Sequence, residues 1–177
     1  MKGENNAVIL DRDGTLVEDI GYHHKIEDFK LIPSVIEGLK LLKNYKLFIV
    51  TNQSGIGLGI YTLKDFENFN NHLLEELKKH KINIEKIYVC PHKPEDNCKC
   101  RKPKTKLIKD AEKEFNIDLK KSFVVGDKKI DVELGKKAGC KSILVLTGNG
   151  MKEKENSKAD FVAKDLLEAA EWILKND

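Results

Sequence analysis

Short, uninterrupted apolar runs alternate along the chain with longer amphipathic stretches. Residues 7–10, 47–50, 87–89, 123–125 and 143–147 are such runs, and 161–163 is a shorter sixth. A strand buried on both faces reads as a continuous apolar run, so each is a candidate inner strand. Between them the apolar residues recur at helical spacing. Val35, Ile36, Leu39 and Leu42 share one face of a helix opened by Pro33-Ser34, with Ser34 as its N-cap. Thr62-Leu63-Lys64-Asp65 is a capping box with Asp in place of the usual Glu. The helix that follows carries a stripe of Leu63, Phe66, Asn70, Leu73, Leu74 and Leu77. Pro103 starts another, with Leu107, Ile108, Ala111 and Phe115 inward, and Gly139 is a helix stop. Leu166, Leu167, Ala170, Ile173 and Leu174 form the inner face of the last, with Trp172 on its flank. This alternation predicts an α/β fold, a Rossmann-like three-layer sandwich with a mostly parallel sheet of five to six strands. No repeat or linker divides residues 1–177, so a single domain is expected.

The strands end in polar groups. The first runs into Asp11-Arg12-Asp13-Gly14-Thr15. In a parallel sheet the carboxyl ends of the strands face the crevice where ligands bind. Asp11 and Asp13 point the same way by the two-residue period and repel unless a cation lies between them or one is protonated. Oxygen ligands alone suggest magnesium. Gly14 lets the chain turn away. Taken alone, the motif also reads as a solvated Asp-Gly turn. The second strand runs into Thr51-Asn52-Gln53-Ser54-Gly55, whose hydroxyl, amide and backbone N–H groups suit a phosphate oxygen. Gly55, Gly57 and Gly59 are not followed by Gly-Lys-Ser/Thr, so they read as a flexible connection rather than a nucleotide loop. The fourth strand ends at Gly126-Asp127, and Asp127 would complete the oxygen shell. Asp131 falls in the first turn of the next helix, where a carboxylate is favoured.

The third strand leads to Cys90, His92, Cys98 and Cys100, within eleven positions of a chain with four cysteines. Three thiolates and an imidazole are a structural zinc set, with no position left for water. An unligated cysteine-rich loop is the plainer alternative. Arg101-Lys102 follows at once, a basic pair that an anchored loop can aim at an anion. Cys140 is left over and reads as a small buried hydrophobe. Residues 18–30 lack periodicity and form a loop long enough to be functional. His23 and His24 within it are expected to be exposed. Residues 148–158 are polar and expected to be mobile.

Composition narrows the partners. The 177 residues are 40% apolar and 34% charged, with a net charge of +3. Lysines mix with glutamates along the presumed helices, so a solvated surface is expected and nucleic acid is not. No apolar run approaches the roughly 20 residues of a membrane span. The N-terminal residues read straight into the first strand without a leader, and a cytoplasmic protein is the expectation.

Four ordered motifs, Asp11-Arg12-Asp13-Gly14-Thr15, Val50-Thr51-Asn52-Gln53, Arg101-Lys102-Pro103 and Gly126-Asp127-x-x-x-Asp131, resemble those of the haloacid dehalogenase-like phosphatases. The cysteine loop narrows the resemblance to the branch of heptose bisphosphate and histidinol-phosphate phosphatases. Gly21-Tyr22, Thr51 to Ile56 and Cys90-Pro91-His92 are most similar to the heptose enzymes, although the short segment between His92 and Cys98 is as in the histidinol-phosphate ones. The resemblance implies that Asp11 attacks phosphorus and forms an aspartyl-phosphate, and that Asp13 protonates the leaving oxygen and then activates water. It implies magnesium on Asp11, the Asp13 carbonyl and Asp127, with Asp131 behind them. Thr51 and Lys102 would hold phosphoryl oxygens, and Cys90, His92, Cys98 and Cys100 would bind zinc. Arg12, Asp19, Tyr22, Asn52, Gln53, Ser54, Arg101 and Lys128 would contact a small phosphorylated sugar. No insertion is long enough for a separate cap, and a monomer is expected. The activity implied is removal of the 7-phosphate of the heptose bisphosphate. The alternatives are histidinol-phosphate phosphatase, a DNA 3′-phosphatase disfavoured by the lack of a basic face, and a non-catalytic phosphosugar-binding module.

Overall fold

A computed structural model describes residues 5–177; the segment 1–4, on which the reading of a missing leader rests, lies outside the described residues. Six strands form: β1 Ala7–Leu10, β2 Lys46–Asn52, β3 Lys86–Cys90, β4 Phe123–Gly126, β5 Lys141–Val145 and β6 Phe161–Ala163. They make one sheet in the order β3-β2-β1-β4-β5-β6, and every pair is parallel. The helices are α1 Val35–Leu41, α2 Ser54–Gly57, α3 Leu63–Lys79, α4 Lys106–Phe115, α5 Lys129–Ala138, α6 Gly150–Glu153 and α7 Leu166–Lys175.

The alternation of side chains along β1 splits the core in two. Val8 and Leu10 face α1, α3 and α7, in a cluster with Leu39, Phe69, Leu73 and Ile173. Ala7 and Ile9 face α4 and α5, with Phe48, Ile108, Ala111 and Leu134. Each fully buried Leu, Ile or Phe contributes roughly 1.5–3 kcal/mol over its exposed state, so the two layers hold the sheet rigid. The chain leaves β1 toward β2 and β3 on one side, and returns to β4 on the other. The carboxyl ends of β1 and β4 therefore flank the switch point where such sheets bind ligands.

Local details differ from the sequence expectation. Ser34 precedes α1 at φ 68° and makes no cap hydrogen bond, because a capping side chain needs an extended backbone. The glycine-rich connection is the short helix α2, tied by Gly57 N to Pro91 O at 2.9 Å. The helix expected from Pro103 begins at Lys106, since the preceding residues turn, with Lys104 N bonded to Arg101 O at 2.9 Å. Residues 148–158, expected to be mobile, hold α6 and a 3-10 turn over Lys154–Asn156. Leu63 and Leu174 are exposed, and Phe69 and Ala169 take the inward places. The capping box of Thr62 and Asp65, the stop at Gly139 and the burial of Cys140 are as expected. Among the described residues no helix is long and apolar enough to cross a membrane.

Candidate active site

The carboxyl ends of the central strands bring three carboxylates together. Asp11 follows β1, with its N–H on Val125 O at 2.9 Å. Asp127 follows β4, and Asp131 stands in the first turn of α5. Oxygens of Asp11, Asp127 and Asp131 lie within 4.8 Å of one another, and all three residues are buried. Lys102 answers them from the loop after Cys100. Its Nζ is 2.7 Å from both Asp11 Oδ1 and Asp131 Oδ1, and donates to Val50 O at 2.9 Å. Burial opposes the charge on Lys102, but Asp11 and Asp131 outweigh it and raise its pKa. Burial, then the neighbouring Asp11 carboxylate, pushes Asp127 up to about 7. Asp131 rises to about 6 by burial and Asp11, against the pull of Lys102. One lysine cannot neutralise three carboxylates. Asp127 Oδ2 accepts from Asn149 N at 2.8 Å, whereas its buried Oδ1 has no hydrogen-bond partner.

Asp13 is held apart from this cluster. Its Oδ1 accepts from Arg12 Nε at 3.0 Å, and its Oδ2 from Arg12 Nη2 at 3.1 Å and Gln53 Nε2 at 2.7 Å. The expected mutual repulsion with Asp11 is thus replaced by an ion pair, and its carboxylate is not in the metal-type cluster; only its main chain remains for that role. Arg12 corrects the sequence reading. It is wholly buried, donates to Asn70 Oδ1 and His23 O, and lies over the rings of Phe66 and Phe69. It has no surface with which to meet a substrate. Gly14 turns at φ +84°, and a Cβ there would sit 2.2 Å from Asp127 Oδ2, so only glycine fits between the two strand ends.

Beside Asp13 opens a cleft of about 210 Å³ lined by Asp19, Tyr22, Ser54 and Lys128 among others. Lys128 Nζ is 3.1 Å from Asp19 Oδ2. Burial raises the Asp19 pKa, but the Gly21 N–H and Lys128 more than reverse it, and the net shift is down. Asn52 and Gln53 border the cleft with their polar groups already engaged. Asn52 Oδ1 accepts from Lys102 N at 3.0 Å, and the buried Gln53 also donates to Thr51 Oγ1 at 2.8 Å. These two amides hold Lys102, Thr51 and Asp13 in place; the amide of the buried Gln53 is spent on these contacts, whereas Asn52 is half-buried and still lines the cleft. Arg101 does not line the cleft; its guanidinium donates to His92 O at 3.2 Å. His23, expected to be exposed, is buried, with its ring nitrogens 2.8 Å from the carbonyls of Glu18 and Asp28. It packs on Phe69 and so anchors the loop.

The third strand delivers the sulfur cluster. Cys90, His92, Cys98 and Cys100 place their ligand atoms within 4.8 Å of one another. The Sγ–Sγ separations are 2.8, 3.5 and 3.6 Å, and His92 Nδ1 is 3.2 Å from Cys100 Sγ. These approach the edge of about 3.8 Å of a tetrahedron with 2.3 Å metal–sulfur arms. Burial works against ionising Cys98, but the Arg101 N–H and the neighbouring thiols draw its pKa down to about 7.

Comparison with known proteins decides the lineage. A family model described as HAD-hyrolase-like matches residues 99–169. A Helicobacter pylori protein named D-glycero-beta-D-manno-heptose-1,7-bisphosphate 7-phosphatase is 45% identical over 172 residues, covering 96% of this chain and 97% of that protein. The chain belongs to the heptose bisphosphate phosphatase family of haloacid dehalogenase-like hydrolases. A Campylobacter jejuni family member, named for the alpha anomer, is 36% identical over 178 residues, covering 98% of this chain and 99% of that protein. The crystal structure of D,D-heptose 1.7-bisphosphate phosphatase from B. bronchiseptica, complexed with magnesium and phosphate, superposes with a TM-score of 0.90 at 28% identity, covering 97% and 99% of the two chains.

Within this family frame, three site residues have no sequence signal. Asn149 closes on Asp127 from a stretch read only as polar. Asn70 meets Arg12 from the interior of α3, where it stood in an apolar stripe. Tyr61 donates its hydroxyl to Gln53 Oε1 from just before α3. A hollow of about 390 Å³ around Leu39, Tyr45 and Ile82 opens at the far end of the sheet. It holds no carboxylate cluster, and the family chemistry has no place there.

Proposed function

We propose that this chain is a magnesium-dependent phosphatase that removes the 7-phosphate of D-glycero-D-manno-heptose 1,7-bisphosphate through an aspartyl-phosphate on Asp11. One observation carries the chemistry. Asp11 is nearly buried at a strand end, bound to Lys102 at 2.7 Å and grouped with Asp127 and Asp131. Lys102 and Thr51 take the phosphoryl oxygens, where transition-state charge collects. Asp13, outside that cluster, protonates the leaving oxygen and later takes a proton from water. Asp19 and Lys128 recognise the sugar from the cleft. Asp19 speaks against histidinol phosphate: the carboxylate an amine would need is already paired with Lys128.

The metal donors are present. Hard oxygen ligands and the unpartnered Asp127 Oδ1 suit magnesium held by Asp11, the Asp13 carbonyl and Asp127. Bound there, magnesium supplies charge that screens the phosphate from the nucleophile. The close packing of three sulfurs and one imidazole nitrogen suits structural zinc, which would staple the loop that carries Lys102. Three thiols this close to one another also favour a reducing compartment, in keeping with a cytoplasmic enzyme.

The higher identity to the Helicobacter pylori relative named for the beta anomer than to the Campylobacter jejuni relative named for the alpha anomer favours β. The test is phosphate release with magnesium from both anomers and from histidinol phosphate. Fastest turnover of the β-heptose bisphosphate is expected. Preference for histidinol phosphate, or no release at all, overturns the reading.

A further inference from the structure

The two oxygens of Asp127 have different surroundings, and one residue makes the difference. Oδ2 accepts from Asn149 N at 2.8 Å and from Asn149 Nδ2 at 3.2 Å. Two donors fill the in-plane lone pairs of a carboxylate oxygen. Oδ1 is buried and has no hydrogen-bond partner. A buried carboxylate oxygen left without a donor is costly unless a cation meets it.

Asn149 stands just before α6, at the position of an N-cap, yet its side chain makes no cap hydrogen bond. The helix uses the Asn149 carbonyl instead, which accepts from Lys152 N at 2.9 Å. The carboxamide is spent on carboxylates. Its Nδ2 also lies 3.4 Å from Asp19 Oδ2, which holds Lys128 Nζ at 3.1 Å. Ionised carboxylate oxygens only accept, so a turned amide would set its own oxygen against two of them. Charge therefore fixes its orientation.

The chain is built to bring Asn149 this close. Thr147 Oγ1 donates to Gly14 O at 2.7 Å and ties the segment after β5 to the turn after Asp13. Gly148 lies between Thr147 and Asn149. A Cβ there would stand 2.4 Å from Asp127 Oδ2 and 2.6 Å from Gly14 Cα, so any larger residue would push the segment away.

We propose that Asn149 is a positioning residue for magnesium: by occupying Asp127 Oδ2 it presents Oδ1 to the metal. The role rests on the reading of Asp127 as a magnesium ligand. The main-chain N–H remains whatever residue stands at 149, so the side chain supplies the second of the two bonds. Without it the carboxylate is held at one point and can turn its free oxygen away from the metal. Loss of an outer partner of a metal ligand costs roughly 10- to 100-fold in affinity, and the retained main-chain donor puts the expected loss at about tenfold.

The test is magnesium affinity without substrate, read from the thermal midpoint over a magnesium titration at pH 8. The proteins are the parent, Asn149→Leu and Asp127→Asn, freed of magnesium by dialysis so that the cysteine loop keeps its own metal. Leucine keeps the size of asparagine and removes its donors. Asn149→Leu should need about tenfold more magnesium for the same shift. Its loss of turnover on p-nitrophenyl phosphate, which has no sugar to meet Asp19, should shrink as magnesium is raised. A merely structural role would not show that relief. Unchanged magnesium affinity in Asn149→Leu overturns the proposal, as does a loss of turnover that magnesium does not relieve. Should Asn149→Leu not fold, Asn149→Ala makes the same comparison. If Asp127→Asn binds magnesium as the parent does, the reading of Asp127 falls and takes the proposal with it. If Asp127→Asn loses magnesium and Asn149→Leu does not, only the role of Asn149 is lost.

Discussion

Arg12 and Asp13, neighbours in the chain, form a two-pronged ion pair, Nε to Oδ1 at 3.0 Å and Nη2 to Oδ2 at 3.1 Å. The guanidinium is wholly buried and the carboxylate borders the cleft. One residue is thus enclosed in the core while its neighbour reaches the cleft. Removing a partner from a buried pair leaves an uncompensated charge and costs about 3–5 kcal/mol. Arg12→Met should therefore lower the urea midpoint as well as activity, with a loss of roughly 3 kcal/mol, since Asp13 keeps some water. An unchanged midpoint with a raised KM would return Arg12 to the substrate.

Asp11 stands between Lys102 and two other carboxylates. Asp11→Asn keeps the shape and removes the proposed nucleophile. Turnover should fall at least about 10³-fold, as it does when a covalent nucleophile is lost elsewhere. Circular dichroism and the thermal midpoint should stay near those of the parent. Substantial residual turnover would sink the aspartyl-phosphate.

The carboxylate cluster makes metal binding depend on pH. Burial and then Asp11 hold Asp127 at about 7, above the ordinary 3.8. A carboxyl raised in the folded state binds its proton more tightly there than when unfolded. The metal-free protein should therefore gain stability as pH falls from about 7 toward 4, and lose it as pH rises through 7. Magnesium must displace the same proton, so its affinity should weaken below pH about 7. Thermal midpoints with chelator and with excess magnesium, measured from pH 5 to 8, should accordingly converge at the acid end. Parallel curves would contradict this account.

The sulfur cluster ends two residues before Lys102. Cys98→Ser should weaken zinc retention by more than the roughly 10- to 100-fold that loss of an outer partner costs. It should also lower stability and turnover together, because the loop that carries Lys102 loses its staple. Metal analysis and an unfolding curve check this. A zinc-free protein with full stability and activity would show that the loop stands unaided.

Asp11, Thr51, Lys102 and Asp127 were legible in the sequence because they follow apolar runs or metal-type cysteines at short, fixed offsets. A parallel sheet carries such strand ends to one crevice whatever the loops do. The cysteine–histidine cluster was legible for the same reason, its four members lying within eleven positions. Arg12, His23, Gln53 and Tyr61 were not. A polar residue's neighbours in sequence do not say whether it is buried. Arg12 is buried because Asn70, 58 positions away, accepts its hydrogen bond, and because α3 lays Phe66 and Phe69 against it.

The sequence by itself therefore determined the layered α/β fold, the strand-end carboxylates and the metal-type cluster, because each is a local pattern with a fixed period or spacing. Tertiary structure alone decided which polar groups face the cleft and which hold others in place. That choice depends on burial and on partners tens of residues apart, where an unpaired polar group costs about 1–3 kcal/mol and so must find its match.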